Sequence, residues 1–324
     1  MLVQLEGQHY HAGMKSHRNP GRTLGMGVQL PEVEWVIRWP ELKRLAQTAE
    51  SVGFDSIWVG DHLLYRNEGK PATGPWEVWS TLSALAAVTE TVELGPLVAS
   101  TSFHSPAMLA KKAATVDEIS NGRLILGLGA GWNAVEYAGF GFPYDHRISR
   151  FEEAFTIIRR LLQGECVDFH GTYYDIETCE LLPKSANPNA GPQLMVGSIG
   201  PRMLGITLPF VDQWNVWYAS FGNNVDGLRP VLRQLELACH KAGRDPSTLV
   251  RTAAIYVQAP GGRGRSHGDE EKSGAAPLRG SQREIADELR RFADVGLDQV
   301  QLVVDPITTE SVQWCGGIIE ALDN

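Results

Sequence analysis

The chain has 324 residues, 43% hydrophobic and 21% charged, with a formal net charge of −9. That balance fits a globular chain with one large core and argues against a disordered or membrane-embedded one. The negative charge, with no Lys/Arg stripe to reverse it locally, argues against nucleic acid or an anionic membrane as partner.

The first residues, MLVQLEGQHYHAGMKSHRNPGRT, contain no unbroken apolar segment for a signal peptide. No later run approaches the roughly eighteen apolar residues of a membrane span, so a cytoplasmic protein is expected. Residues 1–22 read as an arm ahead of one domain, 23–324. His9 and His11 have an H-x-H form but no carboxylates near them in sequence, and no metal site is expected. Beyond the arm, strand-like apolar runs alternate with segments of 3.6-residue periodicity. The strand candidates are 24–30, 55–61, 92–101, 123–129, 192–198, 211–217, 251–258 and 298–304. Leu42, Leu45, Ala46, Ala49 and Val52 form one helical stripe, and Phe151, Ala154, Phe155, Ile158, Leu161 and Leu162 another. Ser105-Pro106 starts a helix that Asn121-Gly122 stops.

Val52-Gly53-Phe54-Asp55 recurs as Val295-Gly296-Leu297-Asp298, with a fainter echo at Val211-Asp212. Eight strand–helix units whose first and last joints resemble each other predict a closed (β/α)₈ TIM barrel over an open, doubly wound sheet. Two segments fall outside the units. Residues 133–190 are expected to cover the barrel mouth, with a turn at His170-Gly171, and the glycine-rich 260–281 are expected to be mobile. Cys166, Cys179, Cys239 and Cys315 show no CxxC pair and read as reduced.

In such a barrel the residues just after each strand form the site. Strand two ends in Asp61-His62, strand three in Thr101-Ser102-Phe103-His104, strand four in Gly129-Ala130-Gly131-Trp132-Asn133, and strand five in Gly197-Ser198-Ile199-Gly200-Pro201-Arg202. His62 is either a satisfied structural histidine or the imidazole that hydrogen-bonds a ring or shuttles a proton. His104 either faces solvent or joins the site. Glu136 is either the capping-box partner of Asn133 or a working carboxylate. Gly197–Gly200, feeding a helix with Pro201 first, is either an ordinary turn or a seat for phosphate. The G-x-G-x-G-W of residues 127–132 is not the G-x-G-x-x-G of a dinucleotide loop. Neither a nucleophile elbow nor a P-loop occurs. A glycine rim, the aromatics Trp58, Trp132, Trp217 and Tyr218, one histidine and a phosphate seat suit a flat phosphorylated cofactor.

Taken in order, SIWVGDHLL, LVASTSFHSPAMLAKKAATVDEISNGRLILGLGAGWN, RISRFEEAFTIIRRLL, VGSIGPRML and GSQREIADELRRFADVGLDQVQLVV resemble the bacterial luciferase-like flavin-dependent oxidoreductases. The resemblance implies a TIM barrel binding coenzyme F420 or FMN, and Asp61-His62 with Gly129–Trp132 resemble the F420 branch more. It implies hydride transfer between F420 and a small organic substrate. The alternatives are an FMN-dependent monooxygenase using oxygen and a separate flavin reductase, and a non-catalytic flavin-binding barrel. A homodimer is expected. By the same resemblance His62 is the catalytic residue. Asp61, His62, Leu97, Val98, Thr101, Gly129, Gly131, Trp132, Gly197, Ser198, Ile199 and Gly200 form the cofactor site, with a non-prolyl cis peptide near Leu97-Val98. Trp132 stands where some F420 dehydrogenases carry a glutamate, which weakens a sugar-phosphate dehydrogenase reading.

Overall fold

The computed structural model describes residues 22–184, 191–265 and 274–324. Eight of the predicted strands are present. They are β1 (Gly25–Gln29), β2 (Ser56–Val59), β3 (Glu93–Pro96) continued by β4 (Ala99–Ser100), β5 (Ile125–Gly129), β8 (Gln193–Gly197), β9 (Gln213–Val216), β10 (Val250–Gln258) and β11 (Gln299–Asp305). All pair in parallel, in the order β3-β2-β1-β11-β10-β9-β8-β5-β4. Because β3 and β4 are halves of one strand, the first pairing with β2 and the second with β5, the sheet closes on itself. The Leu94 amide donates to the Arg123 carbonyl at 3.1 Å across the same seam. The doubly wound alternative is thereby excluded.

The helices form the outer layer: α1 (Trp39–Ser51), α2 (Val78–Ala86), α3 (Pro106–Ser120), α4 (Ala134–Phe140), α5 (Arg147–Leu162), α6 (Pro201–Thr207), α7 (Val225–Lys241), α8 (Gln282–Asp294) and α9 (Thr309–Asp323). The predicted stripe of α1 is buried at Leu42, Leu45, Ala46 and Ala49, and that of α5 at Phe151, Ala154, Phe155, Ile158 and Leu161. Gly53 and Gly296, in the two recurrent joints, have φ of +94° and +105°, a conformation that side chains other than glycine adopt only with strain. Arg22 pins the two ends of the domain together. Its guanidinium binds Asp55 at 2.8 Å and Asp323 at 2.7 Å, with the Arg22 and Asp55 side chains buried. Burial opposes its charge, but the two carboxylates outweigh that and raise its pKa.

Inside the barrel, Trp58 packs with Ile125 and Met195 into a small cluster that Leu97 and Val98 cover. The sequence reading placed Trp58 at the mouth, but it points inward from β2 and donates to Ser56 Oγ at 2.8 Å. Tyr218, also expected at the mouth, is buried and does not line it.

The segment 133–190 divides. Its first part, through Ile148, reaches the mouth, whereas α5 is the crossover helix to β8. The rest is an antiparallel hairpin, β6 (Val167–His170) and β7 (Asp175–Cys179), turning where His170-Gly171 was expected to turn. This hairpin lies against α5, because Glu153 accepts from the amides of Thr172, Tyr173 and Tyr174 at 2.8–3.1 Å. No hairpin residue lines the mouth.

In the described parts of 260–281, backbone hydrogen bonds tie the segment to the barrel. Leu278 exchanges backbone hydrogen bonds with β10, and the Gly264 amide donates to Asp305 at 2.6 Å. Residues 1–21, with the H-x-H of the arm, and 266–273 lie outside the described residues.

Gly127 sits in β5 with no room for a side chain, since a Cβ there would lie 2.3 Å from the Pro96 carbonyl oxygen and 2.9 Å from Val98 Cγ1. Gly127→Ala should therefore overpack the seam and cost about 1–3 kcal/mol, lowering Tm by several degrees. Gly205→Ala, on α6 with open space at its Cβ, should be neutral or stabilising. Thermal melts of the two variants decide it, and equal stability would show that the seam yields freely.

Candidate active site

The C-terminal strand ends open on a cavity of about 600 Å³. Asp61, His62, Leu97, Val98, Gly129, Gly131, Trp132, Gly197, Ser198, Ile199 and Gly200 all line it. Thr101, expected with them, does not. It is 1% exposed in the 3₁₀ turn that follows β4.

The back wall is the break in strand three. The Leu97–Val98 peptide is cis, and the Val98 side chain fills the space that three glycines leave open. A Cβ on Gly129 would lie 2.8 Å from Val98 Cγ2, and one on Gly197 would lie 3.0 and 3.1 Å from the two Val98 methyls. The glycine rim that the sequence suggested at the cavity has a packing role of its own. Gly127, Gly129 and Gly197 make room for Val98, and Gly131 makes room for Ser100 and Tyr137. Val98 itself lines the cavity.

His62 stands at the end of β2. Its Nδ1 lies 3.0 and 3.1 Å from the two carboxylate oxygens of Glu136, on α4. Glu136 is 1% exposed and also accepts from the amides of Leu63 and Leu64. The capping-box expectation is thus corrected: Asn133 caps nothing with its side chain and donates to the Leu64 carbonyl instead. Glu136 has turned away from its own helix to serve the β2 loop. On the other side of the ring, His62 Nε2 is 4.0 Å from Glu32 Oε1. Glu32, just past β1, accepts from Tyr65 Oη at 2.7 Å and from Gln29 Nε2 at 3.2 Å. Tyr65 and Trp132 flank the imidazole, with ring centroids at 4.8 and 5.7 Å.

These neighbours set the charge. Burial pulls the His62 imidazolium down, but Glu32, the hydrogen bond and charge of Glu136, and Asp61 outweigh it and push His62 up to about 9. Burial also pushes Glu136 up, yet His62 and the Leu63 and Leu64 amides hold it below the usual carboxylate range. Burial raises the Glu32 carboxyl against the pull of His62. Asp61 is turned from the ring and accepts from the Ser100 amide at 2.8 Å, tying β2 to the broken strand.

A model of the luciferase-like monooxygenase family matches residues 14–260. The chain belongs to that family. Among relatives of this luciferase-like chain are a 5,10-methylenetetrahydromethanopterin reductase of Archaeoglobus fulgidus, 34% identical over 54% of the chain and 48% of that protein, and an F420-dependent hydroxymycolic acid dehydrogenase of Mycobacterium tuberculosis, 30% identical over 72% and 62%. An F420-dependent glucose-6-phosphate dehydrogenase of Nakamurella multipartita is 30% identical over 78% and 75%. The chain thus spans about half to three fifths of the length of the first two. A solved F420-dependent secondary alcohol dehydrogenase superposes with a TM-score of 0.75 at 20% identity, covering 93% of this chain and 99% of that one, and shares the barrel.

Several residues take unexpected places in the luciferase-like site. His104 does not face solvent. It is wedged behind the site, 3.4 Å from Asp61 and edge-on to Trp79. Arg202 lies outside the cavity, bound to Ser149 and Glu152 on α5. Sequence reasoning missed Gln29, Glu32, Tyr65 and Arg265, which all line the cavity. Gln29 ends β1 and Glu32 lies three residues beyond it, so the strand-end rule applied to strand one points to both. Arg265 belongs to the glycine-rich segment and carried no signal. It binds Glu34 at 2.6 Å. Among the described residues no cluster of three or more His, Cys, Asp or Glu side chains could hold a metal, and no helix is long and apolar enough to cross a membrane.

Because the folded pKa of His62, about 9, exceeds its ordinary value, its stabilising effect is full below about pH 6.5 and lost as pH rises through about 9, a contribution on the order of 3 kcal/mol. Denaturant melts across this range should show wild-type stability falling toward that of His62→Gln. Parallel curves for the two would show that the ion pairs do not hold the proton.

Proposed function

We propose that the protein is an oxidoreductase that transfers a hydride between coenzyme F420 and a small organic substrate. The reading rests on His62, held by a buried carboxylate at the mouth of a family barrel whose relatives include F420-dependent enzymes. The residues present fit a deazaflavin. Leu97 and Val98 give an apolar back wall, and Gln29 Oε1 is a buried acceptor in the cavity wall without a protein partner, suited to a ring N–H. Gly197–Gly200, at the start of α6, would take the phosphate by backbone amides, with Arg147 on the same rim.

F420 supplies, when bound, a two-electron hydride carrier. The chain's own residues do the rest. Val98 would fix the depth at which a ring can lie, and Trp132 and Trp217 line the cavity as aromatic walls. Asp61 locks the β2 loop against the broken strand, so that His62 is presented to the substrate side in one orientation. Sulfur, metal and nucleophilic serine chemistry have no corresponding constellation in the described lining.

Titration with reduced F420 and reduced FMN in parallel tests the cofactor. F420 should bind and be oxidised with an organic acceptor, and tight FMN binding without F420 binding overturns the reading. His62→Ala should retain F420 binding and lose turnover at least about a hundredfold, the usual scale of a positioned proton-transfer group; unchanged turnover removes His62 from the chemistry. A deazaflavin chromophore lacking the phosphate arm should bind at least about tenfold more weakly, or about 1.4 kcal/mol, whereas Arg202→Ala should leave F420 affinity unchanged because its side chain is engaged on α5. Equal affinity for the truncated chromophore places the anchor elsewhere.

A further inference from the structure

We infer that the ion pair of Glu34 with Arg265 sets the charge class of the substrate. It neutralises the arginine that lines the β1–β2 end of the cavity, so that this end takes an uncharged or cationic organic molecule and refuses one that carries a carboxylate or phosphate. The inference deepens the hydride-transfer reading and rests on it.

The pair is fixed from both sides. Arg265 lines the cavity, and its guanidinium binds Glu34 Oε1 at 2.6 Å with the two side chains only 7% and 15% exposed. The other Glu34 oxygen accepts from the amides of Glu32 and Val33 at 2.7 and 3.0 Å, so the backbone of the loop after β1 holds this carboxylate in place. On the arginine's side, the Arg265 amide donates to Tyr256 Oη at 2.9 Å and the Gly264 amide to Asp305 at 2.6 Å. Separating such a pair is costly, because each charge would be left buried and unpaired. An anionic substrate would have to displace a carboxylate that is already seated on the guanidinium and tied to the main chain. A phosphorylated sugar falls in the refused class.

The remaining charges at that end add no positive surplus. Glu32, Asp61 and Glu136 line it together with His62, whose imidazole is already bound by Glu136 at 3.0 Å. Burial raises the Glu32 carboxyl, but even a protonated Glu32 leaves Asp61 and Glu136 against one imidazolium. The walls formed by Tyr65, Trp132 and Trp217 act in the same direction, since the face of an aromatic ring attracts a cation and repels an anion. The cavity's other arginine is differently placed. Arg147, in the first turn of α5, lies 3.8 Å from the centre of the Tyr144 ring and donates to the Tyr144 carbonyl at 3.2 Å, and among the described residues no carboxylate pairs with it. The cavity is therefore sided: uncompensated positive charge stands on the rim with Gly197–Gly200, and none stands at the β1–β2 end.

The test compares two ketones that differ in one end group, pentan-2-one and 4-oxopentanoate, in the wild type, Glu34→Gln and the double variant Glu34→Gln/Arg265→Gln. With reduced F420 the wild type should favour pentan-2-one in kcat/KM by at least about tenfold, or about 1.4 kcal/mol. Glu34→Gln leaves the guanidinium uncompensated and should shrink that ratio at least about tenfold through a lower KM for the oxo acid. The double variant removes both charges, leaves neither buried alone, and should return the ratio to within about threefold of the wild type. Because a ratio is read, a general loss of activity in a variant cancels. Thermal shifts of the cofactor-free proteins with 4-oxopentanoate read the same preference without turnover, and they decide it if neither ketone is reduced. Glu34→Gln should gain stabilisation over the wild type, and the double variant should lose that gain. A wild type that favours the oxo acid overturns the inference, as does a Glu34→Gln protein that neither uses it better nor binds it more tightly. Should Glu34→Gln fail to fold, the double variant decides: use or binding of the oxo acid reduced at least about tenfold there would show that Arg265 recognises the anion in the wild type. A gain of oxo-acid binding by Glu34→Gln in a protein that does not bind F420 sustains the charge selection and overturns the hydride-transfer reading beneath it.

Discussion

Where strand three is interrupted between β3 and β4, the Val98 side chain occupies the space where Gly127, Gly129 and Gly197 have no Cβ. Much else is arranged around that insertion. Below it, Trp58, Ile125 and Met195 fill the barrel interior and are capped by Leu97 and Val98. Above it lies the cavity. The strand resumes only as the two-residue β4, whose Ser100 amide is held by Asp61, and the neighbouring residue His62 is thereby fixed in relation to the wall. A close-packed interior transmits such a constraint with little give: a methyl group placed in the wrong one of these glycines is felt in the wall, the floor and the β2 loop together.

The second organising feature is electrostatic. Buried carboxylates are expensive unless they are paired or hydrogen-bonded, yet the cavity wall holds Glu32, Asp61 and Glu136. Each is supplied with donors: amides for Asp61 and Glu136, a phenol and an amide side chain for Glu32, and the imidazole between the two glutamates. The chain's net charge of −9 has a local counterpart here. An acidic pocket built around one histidine keeps a proton at a pH where an exposed histidine would have lost it.

The barrel was legible because its information is local and repeated. Apolar runs of parallel-strand length, the stripes of α1 and α5, and the glycines at the two recurrent joints each follow from periodicity or from one residue's conformational freedom. The strand-end rule then located most of the lining, including His62 and Gly197–Gly200. The places where that reading went astray share a cause. Thr101 and His104 follow strand three directly in sequence, but the break at Leu97–Val98 and the 3₁₀ turn after β4 carry them behind the wall. Trp58 counted as a mouth aromatic until the direction of its side chain in β2 was known.

By itself the sequence determined the fold class, the ends of the strands at which a ligand is met, and the histidine at the centre of the site, since each depends on short-range pattern and on the fixed handedness of strand–helix–strand units. Only the tertiary structure decided the state and partners of that histidine. Glu32, Glu136 and Arg265 lie 30, 74 and 203 positions away from His62 in the chain. No spacing rule joins them, because they are brought together by barrel closure, by α4 turning its carboxylate toward a different element, and by the ion pair of Arg265 with Glu34 in the loop after β1. Packing in three dimensions chose whether Glu136 would cap its own helix or charge a histidine, and the sequence held both possibilities open.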